Sequence, residues 1–178
     1  VARGTDRLGP DAVDLLMEQW RQQRPDVDVS AMAVFGRLHR DFYRYLDHIV
    51  PVFEKHGISM AAFDVLSALR RSGPPFRRTA GELANQTLVT TGGITLRVKR
   101  LEADGLVIRE GDPHDGRVVY VRLTDAGLAV IDAVVEDHFS NEQRMLVGLT
   151  MTERKQLAQL LSRLELSLEL AKIAHAED

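Results

Sequence analysis

With 178 residues and no cysteine, the chain is long enough to bury a sizeable core but excludes disulfides, thiol redox chemistry and cysteine-based zinc sites. Its 44% hydrophobic and 28% charged residues are ordinary for a soluble globular protein, and no apolar run approaches the ~18–20 residues needed to span a bilayer. The net charge of −3 advertises no nucleic acid, yet residues 76–101 carry a net +4 and residues 124–178 a net −5, so one basic region lies between acidic flanks.

The first residues, VARGTDRLGPDAVD, lack the apolar core of a signal peptide, so the cytoplasm is the expected location and no membrane partner is expected. Residues 11–22 place Val13, Leu16, Met17 and Trp20 at i, i+3, i+4 and i+7, which predicts an amphipathic helix. Pro25 stops it. Ser30 is the expected cap of a second helix that ends near Val50, before Pro51. Ser59 caps a third, MAAFDVLSALRRS, ended by Gly73-Pro74-Pro75.

Thr79 and Glu82 have the spacing of a capping box, which predicts a short helix over about 80–86. Another helix is expected from about Thr90 to Asp104, closed by Gly105. Two strands follow, about Leu106–Glu110 and Val118–Leu123, around a charged loop with Asp115, Gly116 and Arg117. Thr124 caps a helix to about Ser140, and Thr152 is the expected cap of the last helix. A short helix, a turn and a second helix followed by a hairpin make a winged helix-turn-helix in a mainly α chain with a small β-hairpin.

On the helix before the hairpin, Ile94, Val98 and Leu101 form one inward face. Thr91, Gly92, Thr95 and Lys99 lie opposite, where hydroxyls, a close-approaching backbone and a cation suit a DNA groove. Taken alone the loop reads either as an ordinary exposed turn or as a wing tip that sets Arg117 beside the minor groove, and Asp115 either bonds the loop backbone or braces the Arg117 fork. The last helix carries Leu157, Leu160, Leu161, Leu164, Leu168, Leu170 and Ile173, so it either folds onto its own domain or meets a partner, and for a symmetric DNA reader a homodimer is expected. Arg97 lies ~60° around from Ile94, on the shoulder of the buried stripe. Asp64 on the third helix is a carboxylate able to serve it. Arg109 lies within the first wing strand beside Val107 and Ile108.

The run DPHDGRVVYVRLTDAG resembles the wing signature of the MarR family of transcriptional regulators, D-x-R-x-x-x-V-x-L-T, through Asp115, Arg117, Val121, Leu123 and Thr124. GELANQTLVTTGGITLRVKRLEADGLV resembles the helix-turn-helix before that wing. The resemblance covers about residues 30–175. It implies a homodimer on a pseudo-palindromic operator, repressing when free and released by a small ligand. Its implied DNA contacts are Thr90, Thr91, Gly92, Thr95, Lys99, Asp115 and Arg117. The domains expected are an extra N-terminal helix over 1–28, a dimerisation region over 29–58 and 124–178, and the winged helix-turn-helix over 59–123.

The early helix with Trp20 resembles a narrower subgroup, the urate-responsive PecS-like regulators. By position their ligand-response residues fall on Trp20, Asp64, Arg97 and Arg109. Leu96 and Lys99 depart from positions often polar and acidic in relatives, which bears on the operator sequence. The implied effector is urate or a related purine, with another small anion, an aromatic acid or a metal as alternatives. No cofactor or resident metal is expected. No G-x-S-x-G, P-loop, H-E-x-x-H or G-x-G-x-x-G run is present, and the six histidines form no i, i+4 pair, so an enzyme is not expected. A helical interaction module that does not bind DNA is the remaining rival.

Overall fold

The computed structural model describes residues 9–86 and 93–174. In chain order the elements are α1 (Ala12–Gln23), α2 (Met32–Lys55), α3 (Met60–Arg71), β1 (Arg77–Thr79), α4 (Ala80–Gln86), α5 (Ile94–Ala103), β2 (Val107–Gly111), β3 (Val119–Leu123), α6 (Asp125–Met145) and α7 (Met151–Ala174). The chain divides into two units, residues 10–141 and residues from Glu142 onward. The fold is mainly helical with a small antiparallel sheet, as expected.

The first unit is built on α3. Val65, Leu66, Ala68 and Leu69 are fully buried there, and Leu83 of α4, Val98 and Leu101 of α5 and Val121 and Leu123 of β3 complete the core. The Phe53 ring of α2 stacks on Phe63 of α3 and His138 of α6, which are tilted against each other, at centroid distances of 4.8–5.4 Å, and the cluster joins those three helices. The α1 helix buries Val13 and Met17. Its approach to α2 is close at Gly36, where a Cβ would lie 3.0 Å from Val13. Arg37 fixes the start of α1 by bonding Asp11 at 2.9 Å and Asp14 at 2.7 Å.

Most end signals act as the sequence predicts. Ser59 Oγ accepts from Ala62 N, and Thr79 and Glu82 form both halves of the capping box. Gly105 closes α5 in the left-handed conformation, φ 72°. Thr124 Oγ1 accepts from Gly127 N at 3.0 Å and donates to the Gly105 carbonyl at 2.8 Å, so one hydroxyl caps α6 and ties it to the end of α5.

Several ends differ. The α2 helix runs through Pro51 to Lys55. Proline removes one helix hydrogen bond, but burial of Phe53 in the aromatic stack holds the last turn. Ser30 does not cap it; the cap position is Ala31, without a side-chain bond. Thr150, not Thr152, caps α7, in a second capping box with Glu153. The α6 helix continues to Met145. Described α5 begins at Ile94, and Gly93 is its cap at φ 101°, a left-handed conformation that favours glycine over any side chain. Gly93 therefore costs the helix interior nothing.

The sheet order is β1-β3-β2. The wing hairpin pairs Val107 with Leu123 through to Gly111 with Val119. The third strand, β1, pairs Arg77–Thr79 with Arg122–Tyr120 and was not expected. Three residues carry too little alternation to announce a strand. The α7 helix buries none of its described side chains within the chain.

Candidate functional site

The exposed side of α5 carries Thr95, Leu96, Lys99 and Arg100, with Ile94, Val98 and Leu101 turned inward. This is the division that the helical spacing predicted. Thr90, Thr91 and Gly92 lie outside the described residues.

The wing tip is shaped by two aspartates. Asp112 Oδ1 accepts from the N–H groups of His114 and Asp115, and Asp115 Oδ1 accepts from Arg117 N at 2.9 Å. Asp115 thus bonds the loop backbone, the first of its two expected roles. Arg117 itself is exposed. Farther down the sheet, the Arg77 guanidinium lies 4.3 Å from the Tyr120 ring centre.

Behind the exposed side of α5, Asp64 of α3 meets Arg97. Arg97 Nη1 lies 3.9 Å from Asp64 Oδ2, with the side chains 19% and 10% exposed. Both atoms are buried, and neither has a hydrogen-bond partner. The contact is ionic in charge but too long to be a hydrogen bond. Burial pushes the Asp64 carboxyl above the usual carboxylate range, with Arg97 and then Arg71 opposing the rise. A buried ion pair with an unfilled donor and an unfilled acceptor is costly unless something completes it.

Arg71, which sequence reasoning did not single out, lies on the same helix face. Its Nη1 donates to Ser67 Oγ at 3.0 Å and its Nη2 to the Gln86 carbonyl at 3.2 Å. The signal was present as a polar stripe at 64, 67 and 71 on a helix otherwise bound for the core.

The other two expected ligand residues are placed elsewhere. Arg109 is exposed on β2 and pairs with Glu102 of α5 at 3.4 Å. Glu102 was not predicted, because its pairing depends on how α5 meets the hairpin. Trp20 is 51% exposed and borders a cleft of about 410 Å³ with Arg24, Val27 and Met32, on α1 and the turn into α2. Of the four residues, the structure brings together Asp64 and Arg97. Among the described residues, no group of three or more His, Cys, Asp or Glu is placed to hold a metal ion, and no helix is long and apolar enough to cross a membrane.

Residues 56–118 match the MarR family profile. The chain is 37% identical over 150 residues to the HTH-type transcriptional regulator PecS of Dickeya dadantii, covering 84% of this chain and 90% of that protein. Among solved structures it is similar to BpsR of Bordetella bronchiseptica, whose DNA binding is regulated by 6-hydroxynicotinic acid (26% identity, TM-score 0.66, covering 74% of this chain and 92% of BpsR). It is likewise similar to a mutant MarR of E. coli complexed with operator DNA (27% identity, TM-score 0.66, covering 78% and 99%). These relatives are transcriptional regulators rather than enzymes. With a winged helix-turn-helix and a relative of this similarity across most of its length, the chain belongs to the MarR family of DNA-binding transcriptional regulators.

Proposed function

We propose that the protein is a repressor that binds a pseudo-palindromic operator as a homodimer and is released by urate. The observation that carries the effector reading is the Asp64–Arg97 contact, a buried donor and acceptor 3.9 Å apart with no hydrogen-bond partner for either. Urate is a flat purine and a monoanion near neutral pH. It offers Arg97 the charge-assisted hydrogen bonds that Asp64 does not make. Its arrival also places like charge beside Asp64, whose carboxyl burial already pushes toward the protonated form. The pair then separates, and because Arg97 is part of α5, the change begins on the helix that reads DNA.

Trp20 and Arg109 are the proposed further contacts in the ligand-bound arrangement. Both are exposed, Trp20 offering an aromatic face and Arg109 a second guanidinium. Thr90, Thr91, Gly92, Thr95, Lys99, Asp115 and Arg117 are the proposed DNA contacts. Support for a homodimer comes from apolar side chains the single chain leaves uncovered, including Leu157, Leu160, Leu161 and Leu168 on α7 and Phe35 and Phe42 on α2. A second copy covers such faces and supplies the second recognition helix that a pseudo-palindrome needs.

A second reading is that the site takes an aromatic acid, as the BpsR effector is. The same unfilled guanidinium serves a carboxylate equally well. A fluorescent duplex selected by the wild-type protein from random sequence decides between them. Urate is titrated into the complex beside xanthine, 6-hydroxynicotinic acid and zinc, and anisotropy is followed. Release by urate at the lowest concentration supports the proposal. Release by the acid and not by urate replaces it with the second reading, and release by none removes the effector assignment.

A further inference from the structure

The polar stripe on α3 continues beyond Asp64. Ser67 is buried one turn on, and its hydroxyl donates to the Asp64 carbonyl at 3.2 Å. Arg71 lies two turns on and divides its guanidinium between Ser67 Oγ and the Gln86 carbonyl. Gln86 is the last residue of α4, the helix that precedes α5 in the helix-turn-helix. Carbonyls at that end of a helix have no partner within it. One side chain therefore fastens the helix that holds Asp64 to the end of the helix before the reading helix.

Resting on the effector reading above, we propose that Arg71 is a positioning residue of the effector switch: its fork ties the Asp64 site to the end of α4, and when an arriving anion takes Arg97 from Asp64 the fork turns toward the carboxyl left behind and off the Gln86 carbonyl. The driving difference is chemical. Hydrogen bonds between ionised partners are roughly twice as strong as those to neutral groups. The Gln86 bond is also the exposed one of the two, so it is the one that yields. Its release frees the end of α4 while loss of the Asp64 contact frees Arg97 on α5. The helix-turn-helix is thereby disturbed from both of its helices. Lysine keeps the charge but, as a single ammonium on a flexible stem, does not reproduce the two-pronged fork.

Arg71→Lys and Arg71→Gln separate binding from release in the full-length protein. Urate affinity is measured by calorimetry, and operator affinity by anisotropy with and without saturating urate. For wild type the operator is expected to weaken by a factor within the roughly 5–150-fold range of allosteric coupling. For Arg71→Lys, urate affinity stays within about threefold of wild type while the release factor falls below about one-fifth of it. Wild-type release from Arg71→Lys overturns the proposal. So does a loss of urate affinity that accounts for the whole loss of release, since Arg71 would then hold the ligand itself.

A second arm needs no urate. Operator affinities of Asp64→Asn, Arg71→Gln and the double variant form a cycle, and a departure from additivity of about threefold or more is expected for residues sharing one network. Additive effects overturn the link between Arg71 and Asp64. If urate fails to bind wild type, the effector reading fails, and this cycle alone decides Arg71.

Discussion

Arg97 and Arg117 are twenty residues apart in one unit, and their surroundings are opposite. At the wing tip Asp112 and Asp115 hold the turn by accepting from backbone N–H groups, and Arg117 is exposed. Arg97 is enclosed between α3 and α5, its charge committed to Asp64 but its Nη1 without a hydrogen bond. An exposed cation on a preformed turn is a contact that can be added or removed without disturbing the fold. An enclosed cation with an imperfect partner can be moved by any better partner, which is what a switch requires. Burial and an unmet bond, rather than charge, distinguish Arg97, the proposed sensor, from Arg117, a proposed DNA contact.

The largest effect is expected where the wing is anchored. A Cβ on Gly127, in the first turn of α6, meets the Leu106 carbonyl, which is backbone and does not rotate away. Gly127→Ala is therefore expected near the top of the roughly 1–3 kcal/mol range for overpacking, read from urea unfolding. A loss of less than about 0.5 kcal/mol would contradict the close approach. If the wing is a fixed reading device, operator affinity falls with stability.

Arg97→Ala removes the enclosed cation. It leaves the Asp64 carboxyl without its nearest cation and should cost on the order of 1–3 kcal/mol, with operator affinity and urate response falling together. A stable variant with a normal urate response would return Arg97 to the status of Arg117. Arg117→Ala is expected to leave stability unchanged and to lower the slope of log affinity against log salt by about one unit. An unchanged slope would remove the wing tip from the DNA contacts.

The smallest effect is the most diagnostic of burial. The Asp64 carboxyl is held above its ordinary range, so its favourable contribution to stability is present below that range and is lost as pH rises through the raised value. Asp64→Asn should therefore raise the melting temperature at neutral pH by on the order of 1–2 °C, and the gain should shrink toward pH 4. A melting temperature lowered at neutral pH would mean that the Arg97 attraction outweighs desolvation.

Elements with strong end signals were readable from sequence. Ser59, the Thr79–Glu82 box, Gly105 and Thr124 each act through bonds to residues within four positions or to an adjoining helix end. What escaped depends on contacts far along the chain. The α2 helix continues past Pro51 because Phe53 is buried against α3 and α6, and β1 exists because β3 offers it an edge. The same division runs through the site. Arg97 is recognisable by its angle on α5, and Asp64 by being a carboxylate on a helix bound for the core. Arg71 was missed although it continues the polar stripe of Asp64 and Ser67, because its partner is the Gln86 carbonyl, a backbone group fifteen residues away that the stripe does not name.

In the proposed switch one contact, Asp64 with Arg97, links an anion site to the helix proposed to read DNA. The direct measurement is urate affinity with and without saturating operator duplex, followed by calorimetry in wild type and Asp64→Asn. Linkage requires operator to weaken urate binding by the same factor by which urate weakens operator binding, within the roughly 5–150-fold range of such couplings. That reciprocal factor is predicted for wild type, with a factor near one for Asp64→Asn, which still binds urate. Equal urate affinity with and without operator in wild type, or an undiminished factor in Asp64→Asn, would break the proposed link between Asp64 and the operator.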